Sequence, residues 1–241
     1  MHSESASPQG GITPQGEFRG SGRRSFLRGA VVALTATPAI ALVAGSGETQ
    51  AKERGETSSK LATDFTDIQK HENAHVAFLV KALGSQARPK PHFKNLEQPT
   101  RRKFFITSQA LENTGVGAYL GAAPAINKPA YLSAAGSIAF IEARHAGFLN
   151  VLVGDRITTN LFKQEQSFER AFTIQEVVAS ASPFIKDLNG GKPLTFNADP
   201  TMRSDANDID ILNFALALEY LEAEYYNINV PKFFKQDGDN D

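Results

Sequence analysis

Four stretches of the chain place apolar residues three and four positions apart, the spacing of an amphipathic helix. The last of them, 208–227 (DIDILNFALALEYLEAEYYN), poses the central problem. At about 100° per residue, Leu212, Ala215, Glu219, Ala223 and Tyr226 fall within roughly 40° of one line. Glu219 therefore stands in the middle of an inward face, where a carboxylate is costly unless something pairs with it.

Three earlier predicted helices repeat the anomaly. Over 66–83, Phe65, Ile68, Glu72, Val76, Leu79 and Leu83 share a face, with Thr63 or Asp64 as N-cap and Gly84 as the stop. His75 lies about 60° from Glu72 on the same side, whereas His71 points away from that line. Over 101–121 the face carries Phe105, Ser108, Glu112, Val116 and Tyr119. Gly115 leaves room beside Glu112 where a histidine would complete a Glu-x-x-His motif. Over 130–153 the buried positions are Ala135, Ile138, Glu142, Ala146 and Leu149, with His145 on the flank and Gly154 at the end.

The connections decide how these helices lie. Residues 84–100 hold three prolines and are not helical throughout. At about 3.3 Å per extended residue they can run back along an 18-residue helix of about 27 Å, so the next helix lies parallel to the first. The short turn between Pro124 and Pro129 makes the second and third helices antiparallel neighbours. In 155–207, Thr173-Ile174-Gln175-Glu176 is a capping box that starts a short helix ending before Pro183. The turn-rich run DLNGGKPLTFNADP suggests a small hairpin, and the segment returns the chain to the fourth helix. The fold class expected is all-α, a four-helix bundle with a long crossover and a short accessory helix. Its boundaries are 63–230, and the tail 231–241 turns acidic and ends on the surface.

The N-terminus reads differently. Residues 1–22 are rich in Gly, Ser, Pro and Gln; Arg23-Arg24-Ser25-Phe26-Leu27 and a mildly apolar run over 30–43 follow. That run is too short for a membrane span and is interrupted by Pro38. Paired arginines before such a run, with Thr49-Gln50-Ala51 or Ala44 as the cleavage site, resemble a twin-arginine export signal over 1–51. A polar linker, 52–62, would then open the mature protein, in a periplasmic or other extracytoplasmic location. A net charge of −1 and the lack of a basic patch argue against nucleic acid as a partner. The absence of cysteine removes disulfides, thiolate metal sites and cysteine nucleophiles.

Glu72-x-x-His75, Glu112, Glu142-x-x-His145 and Glu219 together give four inward carboxylates and two inward imidazoles. Carboxylate oxygen and imidazole suit ions such as Fe and Mn, and four carboxylates offset most of the charge of two divalent ions. Each Glu-x-x-His would serve one ion, and Glu112 and Glu219 would bridge or cap the pair. Glu222, at the place where two other helices carry a histidine, would orient a ligand or be a spare one. Tyr119 and Tyr226, each seven residues after a ligand glutamate, read first as core aromatics and second as supports for the ligands.

The segments LNFALALEYLEAEYY, HENAHVAFLVKALG, ALENTGVGAYLGAAP and IEARHAGFLNVLVG resemble the ferritin-like domain of desiccation- and stress-associated proteins, and more distantly bacterioferritin and rubrerythrin. In such chains the helix resembling 208–227 comes first, so the resemblance implies a circularly permuted order, or else a last helix swapped into a neighbour's bundle in a homodimer. It also implies a centre of two Fe or two Mn ions, as in ferritin-like carboxylate proteins. The activities it suggests are oxidation of Fe(II), or handling of oxygen or peroxide, in stress protection. A manganese catalase-like enzyme and a non-enzymatic envelope protein, using the bundle for structural metal or partner binding, are the alternatives.

Overall fold

The computed structural model describes the backbone of residues 47–234 and the side chains of 58–234; the twin-arginine motif and residues 235–241 of the acidic tail lie outside the described residues. Four long helices, α1 (Gly47–Leu83), α2 (Arg101–Ala122), α3 (Pro129–Val153) and α5 (Asp205–Phe234), form the bundle. A short α4 (Ile174–Ala181) and a two-stranded pair, β1 (His92–Phe93) with β2 (Ile185–Asp187), complete it.

The directions follow from which residues meet. Phe65 of α1 packs on Phe104 and Phe105 of α2, while Leu79 further along α1 shares a cluster with Tyr119 further along α2, so these helices run parallel. In α5 the order is reversed. Asn227 bonds Gln69, and Ile211 and Leu212 lie with Leu79 and Leu83, so α5 is antiparallel to α1. Gln109 and Asn113 of α2 bond Asn150 of α3, whereas Tyr119 clusters with Ala135 and Ile138, which makes that pair antiparallel too. The crossover that allows this is strapped along α5. Asn213 accepts from the backbone N–H of Arg88 at 2.7 Å, and Asn229 from that of Gln98 at 2.9 Å.

Three boundaries differ from the sequence expectation. Helix α1 begins at Gly47 and runs through 52–62, read above as a linker. No proline interrupts it, Lys60 pairs with Asp64 one turn on at 2.8 Å, and Leu61 packs on the core. Thr63, expected to cap the helix, lies within it and donates to the carbonyl of Ser59. At the other end α5 continues past Asn227 and through Pro231 to Phe234. Proline there forfeits a backbone hydrogen bond. What keeps the helix going is an aromatic cluster, with Phe234 stacked 5.0 Å from Phe65 and Phe233 5.6 Å from Phe104, and Arg101 donating to the carbonyl of Phe233. Finally, the run after Asp187 forms no hairpin of its own. The strand that exists pairs β2 with the crossover, His92 opposite Asp187.

Helix α4 has the expected capping box: Thr173 Oγ1 accepts from the Glu176 N–H at 3.2 Å, and Glu176 accepts from the Thr173 N–H at 2.9 Å. It is anchored just upstream, where Phe172 lies against α2. A Cβ at Gly117 would stand 2.5 Å from the Phe172 ring, and one at Gly121 only 2.1 Å from the Phe172 carbonyl oxygen. The Phe172 N–H donates to the Gly117 carbonyl at 2.9 Å. Two apolar clusters fill the bundle, one around Phe65, Phe104 and Tyr225, the other around Leu79, Tyr119 and Leu212. Between them lies a layer of charged side chains. Among the described residues no helix is long and apolar enough to cross a membrane.

Candidate metal centre

Each bundle helix sends at least one carboxylate into that layer, and α5 adds Glu222. Glu72, Glu112 and Glu142 are 0 % exposed and Glu219 is 1 % exposed. Ligand atoms of Glu72, Glu112, Glu142 and His145 all lie within 4.8 Å of one another, and so do those of Glu72, His75, Glu142 and Glu219. The six residues singled out from the sequence thus form two overlapping groups. Glu72 and Glu142 belong to both; Glu112 and Glu219 each close one end. The glutamates of the two Glu-x-x-His motifs are therefore the shared members, and the two lone glutamates are the caps.

The distances show what the arrangement lacks. His75 Nδ1 lies 3.2 Å from Glu72 Oε2, 3.1 Å from Glu142 Oε1 and 3.2 Å from Glu219 Oε2. His145 Nδ1 lies 3.1 Å from Glu72 Oε1 and 3.1 Å from Glu112 Oε2. A ring nitrogen carries at most one hydrogen, so it cannot serve three carboxylates. Accordingly Glu72 Oε1 and both oxygens of Glu142 are buried with no hydrogen-bond partner. Oxygens converging on a point that a proton cannot satisfy are what a cation would satisfy.

The electrostatics follow the same division. Burial opposes ionisation of Glu72, but the neighbouring His145 and His75 hold its carboxyl down at about 2. Burial favours the neutral form of His75, yet Glu219 and Glu72 push it up to about 10; His145 reaches about 10 through Glu112 and Glu72. Burial raises Glu219 to about 7 despite its bond to His75. Burial, with Glu72 and Glu112 nearby, raises Glu142 well above the usual carboxylate range.

Around this set the tyrosines are reciprocal. Tyr119 of α2 donates to Glu219 of α5 at 2.5 Å, and Tyr226 of α5 donates to Glu112 of α2 at 2.6 Å. Each cap is held by a phenol from the opposite helix, so these residues do more than fill the core. Glu222 is buried beside the set but belongs to neither group of converging atoms. His71, set aside from the sequence as pointing away from the ligand line, lies next to the set. Its Nδ1 lies 3.0 Å from His145 Nε2, on the side of that ring away from the carboxylates, with the two rings stacked at 5.2 Å. Burial and His145 together lower its pKa, which keeps it neutral and able to accept from His145. The signal was available: His71 and His75 are four residues apart, about 40° on the helix.

A four-helix bundle with one long crossover, and with Glu and Glu-x-x-His side chains meeting in its core, defines the ferritin-like class of carboxylate proteins. The comparison of families agrees with the geometry. A family model described as a ferritin-like domain matches residues 36–155 and 207–240, and the chain belongs to that family. No curated protein and no solved structure matches it.

Proposed function

We propose that the chain is an exported ferritin-like protein whose core holds two Fe or Mn ions and which oxidises Fe(II), or handles oxygen or peroxide, in stress protection. The observation that carries this reading is the twofold convergence of carboxylate oxygens and one imidazole nitrogen, with Glu142 left unpaired by any hydrogen-bond donor. In this reading Glu72, Glu112, Glu142 and His145 would hold one ion, and Glu72, His75, Glu142 and Glu219 the other. The bound pair would supply one-electron redox change and a positive charge to polarise an oxygen ligand. The protein's part is to hold the ligands in place: Tyr119 and Tyr226 fix the caps, His71 fixes the ring of His145, and the apolar clusters on either side limit water. Export rests on Arg23-Arg24 and the apolar run after it.

Metal analysis of the protein purified from its own compartment, with Fe(II)-oxidation and peroxide-consumption assays on wild type and Glu112→Ala, tests the proposal. Two ions per chain are expected in the wild type, with activity at least about tenfold lower in the variant, the scale on which ligand supports act. A variant that keeps full activity and full metal content would overturn the catalytic reading. A wild type that binds metal and consumes neither reactant would leave only a structural centre.

A further inference from the structure

Helix α3 turns Glu142 and His145 into the core, and its opposite side has a pattern of its own. Leu132, Gly136, Phe140, Ala143, Gly147 and Val151 fall within roughly 100° of arc, on the side away from Glu142. Phe140 is 72 % exposed, Val151 59 % and Leu132 44 %. The stripe continues onto the segment after α3, where Ile157 is 65 % exposed and lies against Gly147: a Cβ there would stand 3.3 Å from Ile157 Cγ1. Over 129–153 the only acidic or basic side chain besides the inward Glu142 and His145 is Arg144, at the edge of the stripe.

Those four large side chains leave roughly 400 Å² of apolar surface in water, the scale at which a patch marks a binding surface. A stable pair of proteins buries about 800 Å² on each partner, so the stripe is large enough for an apolar core, with Ser133, Ser137 and Arg144 as its polar rim. The order of side chains shows which partner fits, because the stripe read backwards is its own complement. With two copies of α3 antiparallel about an axis between Ile141 and Glu142, Leu132 faces Val151 and Phe140 faces the small Ala143. Gly136 then faces Gly147, and the space at Gly136 receives the Ile157 that lies over Gly147. A twofold contact uses one patch on both partners, so knob and socket must share a surface, as they do here.

We propose that a second copy of this chain covers the outer face of α3, in an antiparallel twofold pairing that exchanges no helix. Phe140 is its central anchor. Charge does not oppose the contact, since Arg144 stays at the rim and Glu142 is in the core. The pairing stands independently of the metal reading. It ties to its copy the helix that carries Glu142 and His145, and it leaves Phe78 on α1 outside the contact.

Light scattering on the full chain, with the mass followed over a wide range of concentration, tests this. A dimer is expected for wild type, with and without added Mn(II). Phe140→Asp, with folding checked by circular dichroism, is expected to weaken association at least about thirtyfold, and Phe78→Asp to leave it as in wild type. Oxidative cross-linking reads the register, because the chain has no cysteine of its own. Leu132→Cys mixed with Val151→Cys is expected to give a disulfide-linked pair. Leu132→Cys alone is not, since the two copies of position 132 would lie about 28 Å apart. A wild type that stays monomeric at every concentration would overturn the inference, and so would a monomer that sediments instead with phosphatidylcholine vesicles. A dimer that Phe140→Asp does not weaken, or that fails to cross-link in the mixed sample, would overturn the assignment to α3.

Discussion

Tyr119 shows how much a single hydroxyl can be asked to do. It is buried, its oxygen is 2.5 Å from Glu219, and the acid it supports has few other partners. Tyr119→Phe removes the donor and leaves the ring, so Glu219 loses a hydrogen bond in a place water does not reach. The expected loss of stability in the metal-free protein is about 1–3 kcal/mol, read from urea denaturation. Metal affinity is expected to fall about tenfold, because the cap is free to rotate away. At this scale the sequence was informative about which acids point inward, because helix phase alone aligns Glu72, Glu112, Glu142 and Glu219. It was silent on which of them are shared. That depends on how four helices are rotated against one another, and no single helical wheel contains it. The tyrosines were misweighed for the same reason, since the partner of each lies on a different helix about a hundred positions away.

Among the elements, helix existence was legible and helix ends were not. The expected span 101–121 agrees closely with α2, because a proline-rich approach and the Thr100 cap mark its start. Pro129 and Gly154 frame α3 in the same way. By contrast Pro231 signals a stop that aromatic packing overrides, and the β1–β2 pair joins segments with no local signal linking them. The docking of the α4 segment was hidden for a related reason, because it turns on two glycines one turn apart on α2. Gly121→Ala would place a methyl group against the Phe172 carbonyl, a backbone atom that cannot swing aside as a side-chain tip does. The segment around Phe172 must then lift. The expected cost is about 1–3 kcal/mol, with faster proteolytic cleavage within 155–173 and α2 still helical, measured by limited proteolysis and circular dichroism.

For the molecule as a whole, the charged layer between two apolar clusters ties stability to pH and to metal. Glu219 titrates near 7 when folded, above its ordinary range, so its burial weighs increasingly against the metal-free fold as pH rises from about 4.5 to 7. His75 and His145, raised to about 10, lend stability that is fully present below about 6.5 and is lost between there and 10. Glu72, held near 2, acts in the other direction, and its contribution disappears only as pH falls from about 4.5 toward 2. The metal-free protein should therefore unfold more easily at pH 8 than at pH 6. Cations replace the protons that these groups would otherwise keep. The rise in melting temperature on adding Mn(II) should accordingly be larger at pH 8 than at pH 6, as scanning calorimetry would show; an equal rise at both would contradict the assignment of the layer as the binding site.

His75 and Glu219 touch across 144 positions of chain, and the second of them belongs to the last helix. A ribosome has therefore threaded out α1, α2 and α3 well before the acid that closes the set emerges. Until then the nascent polypeptide can bring together Glu72, Glu112, Glu142 and His145, but the group around His75 lacks its closing acid. The second group is completed only after synthesis, when α5 settles against α1.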